Sequence, residues 1–265
     1  MKKYLVIGNP VQHSLSPKLH NYWFNQNNIE GVYEKKKLTE NNISDVIKDI
    51  RNSKIEGVNV TVPFKKSVIP FIDHMEHYAT KTQSVNTIFK RDGKIIGDNT
   101  DIKGFKYALE HIKYNVKGKK ILILGAGGVT SSIIYALEQM EASNIMLSNR
   151  TAEKAENLKK QFPKLELIKW GNIKNFDMII NATSLGLNIS DKIDLNFDQF
   201  ETGKFFYDVI YNPRKTSFLS KAEKRGHQIE NGKMMFVYQA ALAFEIWTGV
   251  KPQVNKNVIE LLEND

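Results

Sequence analysis

Ile121-Leu122-Ile123-Leu124-Gly125-Ala126-Gly127-Gly128-Val129-Thr130 decides the fold. The first four residues are a continuous apolar run, the pattern of a strand buried on both faces of a parallel sheet. Glycines then make a tight turn, and Thr130 opens a helical stretch reaching Met140. Where no Cβ intervenes, backbone amides at a helix N-terminus can approach a pyrophosphate closely. The third position of this dinucleotide fingerprint holds Thr130 in place of Gly or Ala, so the match is imperfect.

The next strand, Asn144–Leu147, decides which dinucleotide fits. An NAD site usually carries an acid about 20 residues beyond the glycines to take a ribose hydroxyl. Here Asn149 stands in that region, followed by Arg150, Thr151 and Lys154. A guanidinium, a hydroxyl and an ammonium suit a 2′-phosphate. Cations at the start of a helix are disfavoured by its dipole, which argues for a ligand there over mere solvation. The pattern predicts NADP.

Further out, helix Ala152–Phe162 alternates with strands at Leu165–Ile168, Asp177–Ile180 and Phe205–Ile210, and a helix follows at Lys215–Arg225. Such alternation builds a parallel sheet with helices on both faces. The first hundred residues alternate too. Strands are expected at Tyr4–Ile7, Gly31–Lys37 and Val58–Val62, and helices from Pro17 and over Asn41–Arg51. Short helical pieces should fill Phe64–Lys81. A hairpin turns at Asp92-Gly93, and an amphipathic helix covers Asp101–Lys113. The fold class is therefore α/β with two domains. Residues 1–101 form an N-terminal domain with a mainly parallel sheet, and residues 102–237 form a Rossmann domain. Helices at Met234–Trp247 and Val254–Leu262 close the chain, and 238–265 complete the first domain.

Composition narrows the function. The chain has 265 residues, 41% hydrophobic and 25% charged, an ordinary globular balance that excludes general disorder. It has no cysteine, which excludes disulfides, thiolate metal sites and a cysteine nucleophile. The net charge of +9 is spread along the chain instead of gathered in a stripe, which argues against nucleic acid as a partner. The apolar run Tyr4–Ile7 is too short for a signal peptide, and no segment approaches the roughly 20 apolar residues of a membrane span. A cytoplasmic protein is expected. His74 and His77 lie one turn apart with no evident third ligand, so no metal is expected.

Polar clusters in the first half point to a ligand. Ser14 and Ser16 flank a strand-to-helix loop, with Ser16 a natural N-cap and Pro17 a natural first helical residue. Two hydroxyls at a helix start can cradle a carboxylate or phosphate, or simply cap the helix. In Asn59-Val60-Thr61-Val62, Asn59 and Thr61 point one way and the valines the other. Lys65 follows at the carboxyl end of that strand, where α/β sites form. Asn86-Thr87 and Asp98-Asn99-Thr100-Asp101 add groups able to hold a hydroxyl-rich molecule.

These stretches, with Ser84-Val85-Asn86-Thr87, Gly104-Phe105, Asn181 through Gly186, Tyr211-Asn212-Pro213 with Thr216, and Gly232 through Gln239 to Trp247-Thr248-Gly249, run in order over nearly the whole chain. Together they resemble the shikimate dehydrogenase family. The resemblance implies NADPH-dependent reduction of 3-dehydroshikimate to shikimate on the route to chorismate and aromatic amino acids. It also implies a substrate domain and a Rossmann domain with a cleft between them. Ser14 and Ser16 correspond to carboxylate binders. Asn59, Thr61, Lys65, Asn86, Asp101 and Gln239 correspond to contacts with the ring hydroxyls, with Lys65 and Asp101 as the catalytic pair. Tyr211 matches a tyrosine that also reaches the substrate. Gly125, Ala126, Gly127, Gly128, Val129, Asn149, Arg150, Thr151 and Lys154 match cofactor positions, and Thr183, Ile210 and Gly232 line the nicotinamide pocket. Small molecules are the expected partners of a monomer or homodimer.

The reaction implied by the resemblance suits Lys65. Hydride reaching a carbonyl carbon leaves an oxygen that needs a proton or a positive neighbour. Without cysteine or metal, the donor must be Lys, His or Tyr. Lys65 is best placed, and His13 is the nearest rival. Competing readings are a quinate/shikimate dehydrogenase using NAD, a non-catalytic NADP-binding regulator, and another lysine-dependent two-domain dehydrogenase acting on a folate.

Overall fold

The computed structural model describes residues 1–170, 172–173, 175–188 and 190–263. Apolar runs become strands. β1 (Lys2–Gly8) exposes its two lysines and buries Tyr4–Ile7. There follow α1 (Ser16–Gln26), β2 (Gly31–Lys37), α2 (Ile43–Arg51), β3 (Gly57–Val60), β4 (His74–Met75), α3 (His77–Thr82), β5 (Thr87–Arg91), β6 (Lys94–Asp98) and α4 (Asp101–His111). Asp92 and Gly93 join β5 to β6 with φ of 51° and 76°, the left-handed pair that matches the twist of a hairpin. The second series comprises β7 (Lys120–Leu124), α5 (Thr130–Gln139), β8 (Asn144–Ser148), α6 (Ala152–Gln161), β9 (Glu166–Ile168), β10 (Met178–Asn181), β11 (Phe205–Asp208), α7 (Ser217–Glu223) and β12 (Gln228–Glu230). The chain ends with α8 (Lys233–Thr248) and α9 (Lys256–Leu261), the latter capped by the Asn255 side chain. Asn264 and Asp265, the end of the expected closing segment, lie outside the described residues.

Two compact units emerge. One comprises Met1–Gly104 with Val237–Asp265, the other Phe105–Phe236, so the divisions fall inside α4 and α8. The first unit's sheet runs β2-β1-β3-β5-β6-β4. β5 is antiparallel to both β3 and β6, while the remaining pairs are parallel. The second unit's sheet runs β12-β11-β10-β7-β8-β9, parallel throughout. Its strand order reverses between β7 and β10, the switch point outside which ligands of doubly wound sheets bind.

Three local expectations fail for physical reasons. β3 stops at Val60, two residues early, because its partner β5 begins at Thr87 opposite Asn59. Val60 and Val62, expected on one face, therefore part ways: Val60 is 2% exposed and Val62 is 56% exposed. Within Phe64–Lys81, His74–Met75 is a strand, drawn onto β6 by ladder bonds. Ser16 is the first residue of α1 and Leu15 its N-cap, so Ser16 makes no capping bond.

One buried cluster joins Leu5, Ile7, Val46, Ile50, Val58 and Phe64 in the first unit. Another joins Leu122, Leu124, Ile179, Phe206 and Phe218 in the second. In the first unit Gly57 lets Trp247 approach, since a Cβ there would lie 2.5 Å from the indole. Among the described residues no helix is long and apolar enough to cross a membrane.

Candidate active site

The first unit's site follows from strand direction. β1, β3 and β6 end at the same edge of the sheet where antiparallel β5 begins, because the register sets Asn59 opposite Thr87 and Thr87 opposite Asp98. Residues at or just beyond the ends of β3 and β6 and just before β5 are thereby gathered. They are Asn59 and Lys65, Thr100 and Asp101, and Asn86. The Asn86 backbone extends β5 by one residue, donating to the Asp98 carbonyl at 3.0 Å and accepting from Val60 N at 2.8 Å.

Lys65 Nζ forms an ion pair with Asp101 Oδ2, and both residues are buried, at 8% and 5% exposure. The Asn86 amide donates to Asp101 Oδ1 at 2.9 Å. Both carboxylate oxygens are thus occupied. A buried charge is costly unless paired and hydrogen-bonded, and here it is both. Asn86 is itself fixed, since its Oδ1 accepts from Thr100 N at 2.8 Å and its Nδ2 also reaches Gln239 Oε1 at 3.4 Å. Asn99 Oδ1 accepts from Asp101 N at 3.0 Å, tying down the start of α4. The other N–H donors of Lys65 have no protein partner among the described residues.

Asn59 enters this set through its Nδ2, which donates to the Asn86 carbonyl at 3.3 Å. Its Oδ1 accepts from the Tyr33 hydroxyl at 2.6 Å, which fixes the amide orientation and turns Nδ2 toward Asn86. Tyr33 stacks in turn on His20, with ring centroids 4.3 Å apart. His20 is fully buried, makes no hydrogen bond through either nitrogen among the described residues, and is pushed down to about 3 by burial. Ser14 and Ser16 share a 3.0 Å hydroxyl bond, and Ser14 Oγ also accepts from Ser16 N at 3.3 Å. They bond to each other and not to the lysine–aspartate group. Thr61 is half-buried just past β3, and His13 is exposed. Tyr33, Asn99 and Thr100 went unassigned in the sequence reading. Asn99 and Thr100 lay inside a quoted polar cluster, whereas Tyr33 sits mid-strand and gave no signal.

In the second unit the glycine turn closes on itself. Gly125 has φ of 102°, and a Cβ there would lie 2.6 Å from Thr183 Cγ2. Thr130, the imperfect fingerprint residue, is buried and donates its hydroxyl to the Gly125 carbonyl at 2.9 Å. The Asn149 side chain accepts from Ala126 N at 3.0 Å and donates to the Thr151 carbonyl at 2.7 Å, linking the end of β8 to the turn. Gly127, Gly128 and Val129 complete the turn before α5. Arg150, Thr151 and Lys154 are exposed around the start of α6, where no carboxylate pairs with either cation among the described residues. A turn that tolerates no Cβ at Gly125, opening a ten-residue helix beside two exposed cations, fits a dinucleotide with a phosphorylated ribose.

Thr183 and Ile210 follow the carboxyl ends of β10 and β11. Gly232 N donates to the Ile210 carbonyl at 3.2 Å, and a Cβ at Gly232 would collide with the Val209 carbonyl. Tyr211 belongs to this unit and stacks on Phe236 at 4.4 Å. Among the described residues no group of three or more His, Cys, Asp or Glu side chains could hold a metal ion.

Comparison with known proteins agrees along the whole chain. Residues 6–88 match the family model of the shikimate dehydrogenase substrate binding domain. Residues 107–219 match that of shikimate / quinate 5-dehydrogenase, and residues 235–256 match the shikimate 5′-dehydrogenase C-terminal domain. The shikimate dehydrogenase (NADP(+)) of Pelagibacter ubique is 58% identical over 99% of both chains. The crystal structure of shikimate dehydrogenase from Aquifex aeolicus is similar with a TM-score of 0.92 and 36% identity, over 100% of this chain and 98% of that one. A Thermus thermophilus shikimate 5-dehydrogenase solved with NADP(H) and shikimate has a TM-score of 0.89 and 31% identity, over 99% of this chain and 98% of that one.

Proposed function

The chain belongs to the shikimate dehydrogenase family, and from that premise we propose that it interconverts 3-dehydroshikimate and shikimate with NADP. The observation that carries the reading is the buried Lys65–Asp101 pair braced by Asn86. When bound, NADPH would supply the hydride for the carbonyl carbon in the reducing direction. The carbonyl electron pair moves onto oxygen, and Lys65 stabilises the developing alkoxide and delivers a proton to it. Asp101 holds Nζ in place while its second oxygen is committed to Asn86, so the remaining N–H donors of Lys65 serve the substrate oxygen.

Around this centre Asn59, Thr61, Asn86 and Gln239 contact the ring hydroxyls, Ser14 and Ser16 take the carboxylate, and Tyr211 also reaches the substrate. Tyr33 fixes the Asn59 amide by donating to its oxygen, which leaves one Nδ2 hydrogen and one oxygen lone pair for a hydroxyl. Gly125 through Val129 and Asn149 hold the pyrophosphate, and Arg150, Thr151 and Lys154 hold the 2′-phosphate. Thr183, Ile210 and Gly232 line the nicotinamide pocket. We assign the enzyme to the cytoplasm, working as a monomer or homodimer. The test is an assay of purified protein with shikimate or quinate against NADP or NAD, following absorbance of the reduced nicotinamide. Shikimate with NADP should turn over fastest. Turnover only with quinate and NAD, or with neither substrate, would overturn the reading.

A further inference from the structure

Asp208 closes β11 with no exposed surface, and Asn181 closes its neighbour β10 directly opposite, equally buried. The Asp208 carboxylate accepts three hydrogen bonds. Asn181 Nδ2 and Ile210 N each donate to Oδ1 at 3.0 Å, and the Thr216 hydroxyl donates to Oδ2 at 2.6 Å. Asn181 continues the network. Its Oδ1 accepts from Thr183 N at 3.0 Å and from the Thr183 hydroxyl at 2.7 Å, and its Nδ2 also donates to the Leu185 carbonyl at 3.1 Å. Thr216 caps α7 by accepting from Leu219 N at 3.4 Å. The loops leaving β10 and β11 are thus fastened to one buried carboxylate. They pack closely there: a Cβ at Gly186 would lie 3.1 Å from Thr216 and 3.3 Å from Ile210.

We propose that Asp208 is a positioning residue for the nicotinamide end of the cofactor site, setting Thr183 and Ile210 relative to each other through Asn181 and Thr216. The proposal rests on the NADP-dependent reading above and extends it to residues that touch no ligand.

A simple stability role accounts poorly for the arrangement. Burial of a carboxylate is costly, and an apolar residue of similar volume commonly packs as well or better. Burial pushes the Asp208 carboxyl up to about 6, against its three donors. Only an ionised carboxylate accepts from an amide side chain, a backbone N–H and a hydroxyl at once without any of them reversing. The network reaches both loops that carry the proposed nicotinamide residues. Its hydrogen bonds do not extend to Asn149, Arg150 or Lys154, which are assigned to the phosphates. Misplacement by about 1 Å near a reacting centre can cost about 10²-fold in rate.

The test uses Asp208→Asn and, as a milder perturbation, Thr216→Val with Thr216→Ser as the conservative control. Asparagine keeps the shape, yet its amide nitrogen cannot accept the Thr216 proton. Folding is checked by circular dichroism and melting. The readouts are kcat for shikimate oxidation at saturating NADP, and the affinities for NADP and for adenosine 2′,5′-bisphosphate, which carries the 2′-phosphate and no nicotinamide. The expected result is a kcat lowered about 10- to 100-fold in Asp208→Asn and Thr216→Val. Adenosine 2′,5′-bisphosphate should bind as to wild type, and Thr216→Ser should restore most of kcat. If folded Asp208→Asn, or Thr216→Val where the former does not fold, keeps kcat within about 2-fold, the proposal is overturned. Equal weakening of both nucleotides would overturn it too, by marking a purely structural role. A wild-type enzyme without NADP-linked shikimate oxidation would instead overturn the functional reading beneath it.

Discussion

His20 gives the fold a pH dependence that can be worked out in advance. Its imidazole is fully buried among Trp23, Tyr33, Phe244 and Trp247, and neither nitrogen is hydrogen-bonded. Burial holds it down to about 3 in the fold, against an ordinary value of 6.5 once unfolded. Between those values the unfolded chain binds a proton that the folded one refuses, so stability falls as pH drops below about 6.5. The loss attributable to His20 is about 1–2 kcal/mol at pH 5.5 relative to pH 8, and about 2–3 kcal/mol at pH 4.5. At pH 5.5 that corresponds to about 3–6 °C in Tm for a chain of this size. The assay compares wild type with His20→Phe by thermal and urea melts from pH 8 to 4.5. Phenylalanine keeps a ring on Tyr33 and does not titrate, so any fixed packing cost cancels in the comparison across pH. The variant should lose less stability on acidification than wild type by the amounts given. Parallel pH curves for the two proteins would refute the buried, neutral imidazole.

Other consequences are separable by unit. Arg150→Ala should raise KM for NADP much more than for NAD, by about 10- to 100-fold, because a charge-assisted contact is worth roughly 1.5–3 kcal/mol; equal losses with both cofactors would remove the 2′-phosphate from Arg150. Ser14→Ala with Ser16→Ala should weaken shikimate binding and leave NADP binding near normal, and the reverse pattern in calorimetry would move the carboxylate cradle elsewhere. Gly125→Ala forces a side chain into a left-handed turn against Thr183, at roughly 1–3 kcal/mol of strain. NADP affinity should fall while shikimate affinity holds, and a loss confined to shikimate would contradict the glycine's role.

In the second unit β7, β10 and β11 were legible because they are mostly continuous apolar runs. Lys120–Leu124 forms a strand with the bounds expected, and Asp92-Gly93 turns where its two left-handed residues require. What escaped depends on distant partners. β4 is two residues of no strand-like character that exist because β6 lies beside them, and β12 is three residues ending in Glu230 that pair with β11. Alternation set Val62 on the same face as Val60, but alternation says nothing about where a partner strand begins. Lys65 and Asp101 were expected together as a catalytic pair through the family resemblance; that they form a buried ion pair depends on the antiparallel β5, which brings the ends of β3 and β6 together. Tyr33, His20 and Asp208 act through neighbours far off in sequence, so no local pattern marks them.

If Lys65 assists hydride transfer and does not merely bind substrate, the kinetics of Lys65→Ala at saturating NADP show it. Loss of a group that acts in the transition state lowers kcat more than it raises KM. With the variant shown to be folded, kcat should fall by about 10²–10⁴-fold, the usual span of acid–base assistance, while KM for shikimate moves far less because the hydroxyl and carboxylate contacts remain. Lys65→Arg should not fully restore kcat, since a guanidinium is larger and does not readily release a proton. A raised KM with kcat within a few-fold of wild type would contradict this role and move the catalytic assignment away from Lys65, with Asp101 and His13 next in line.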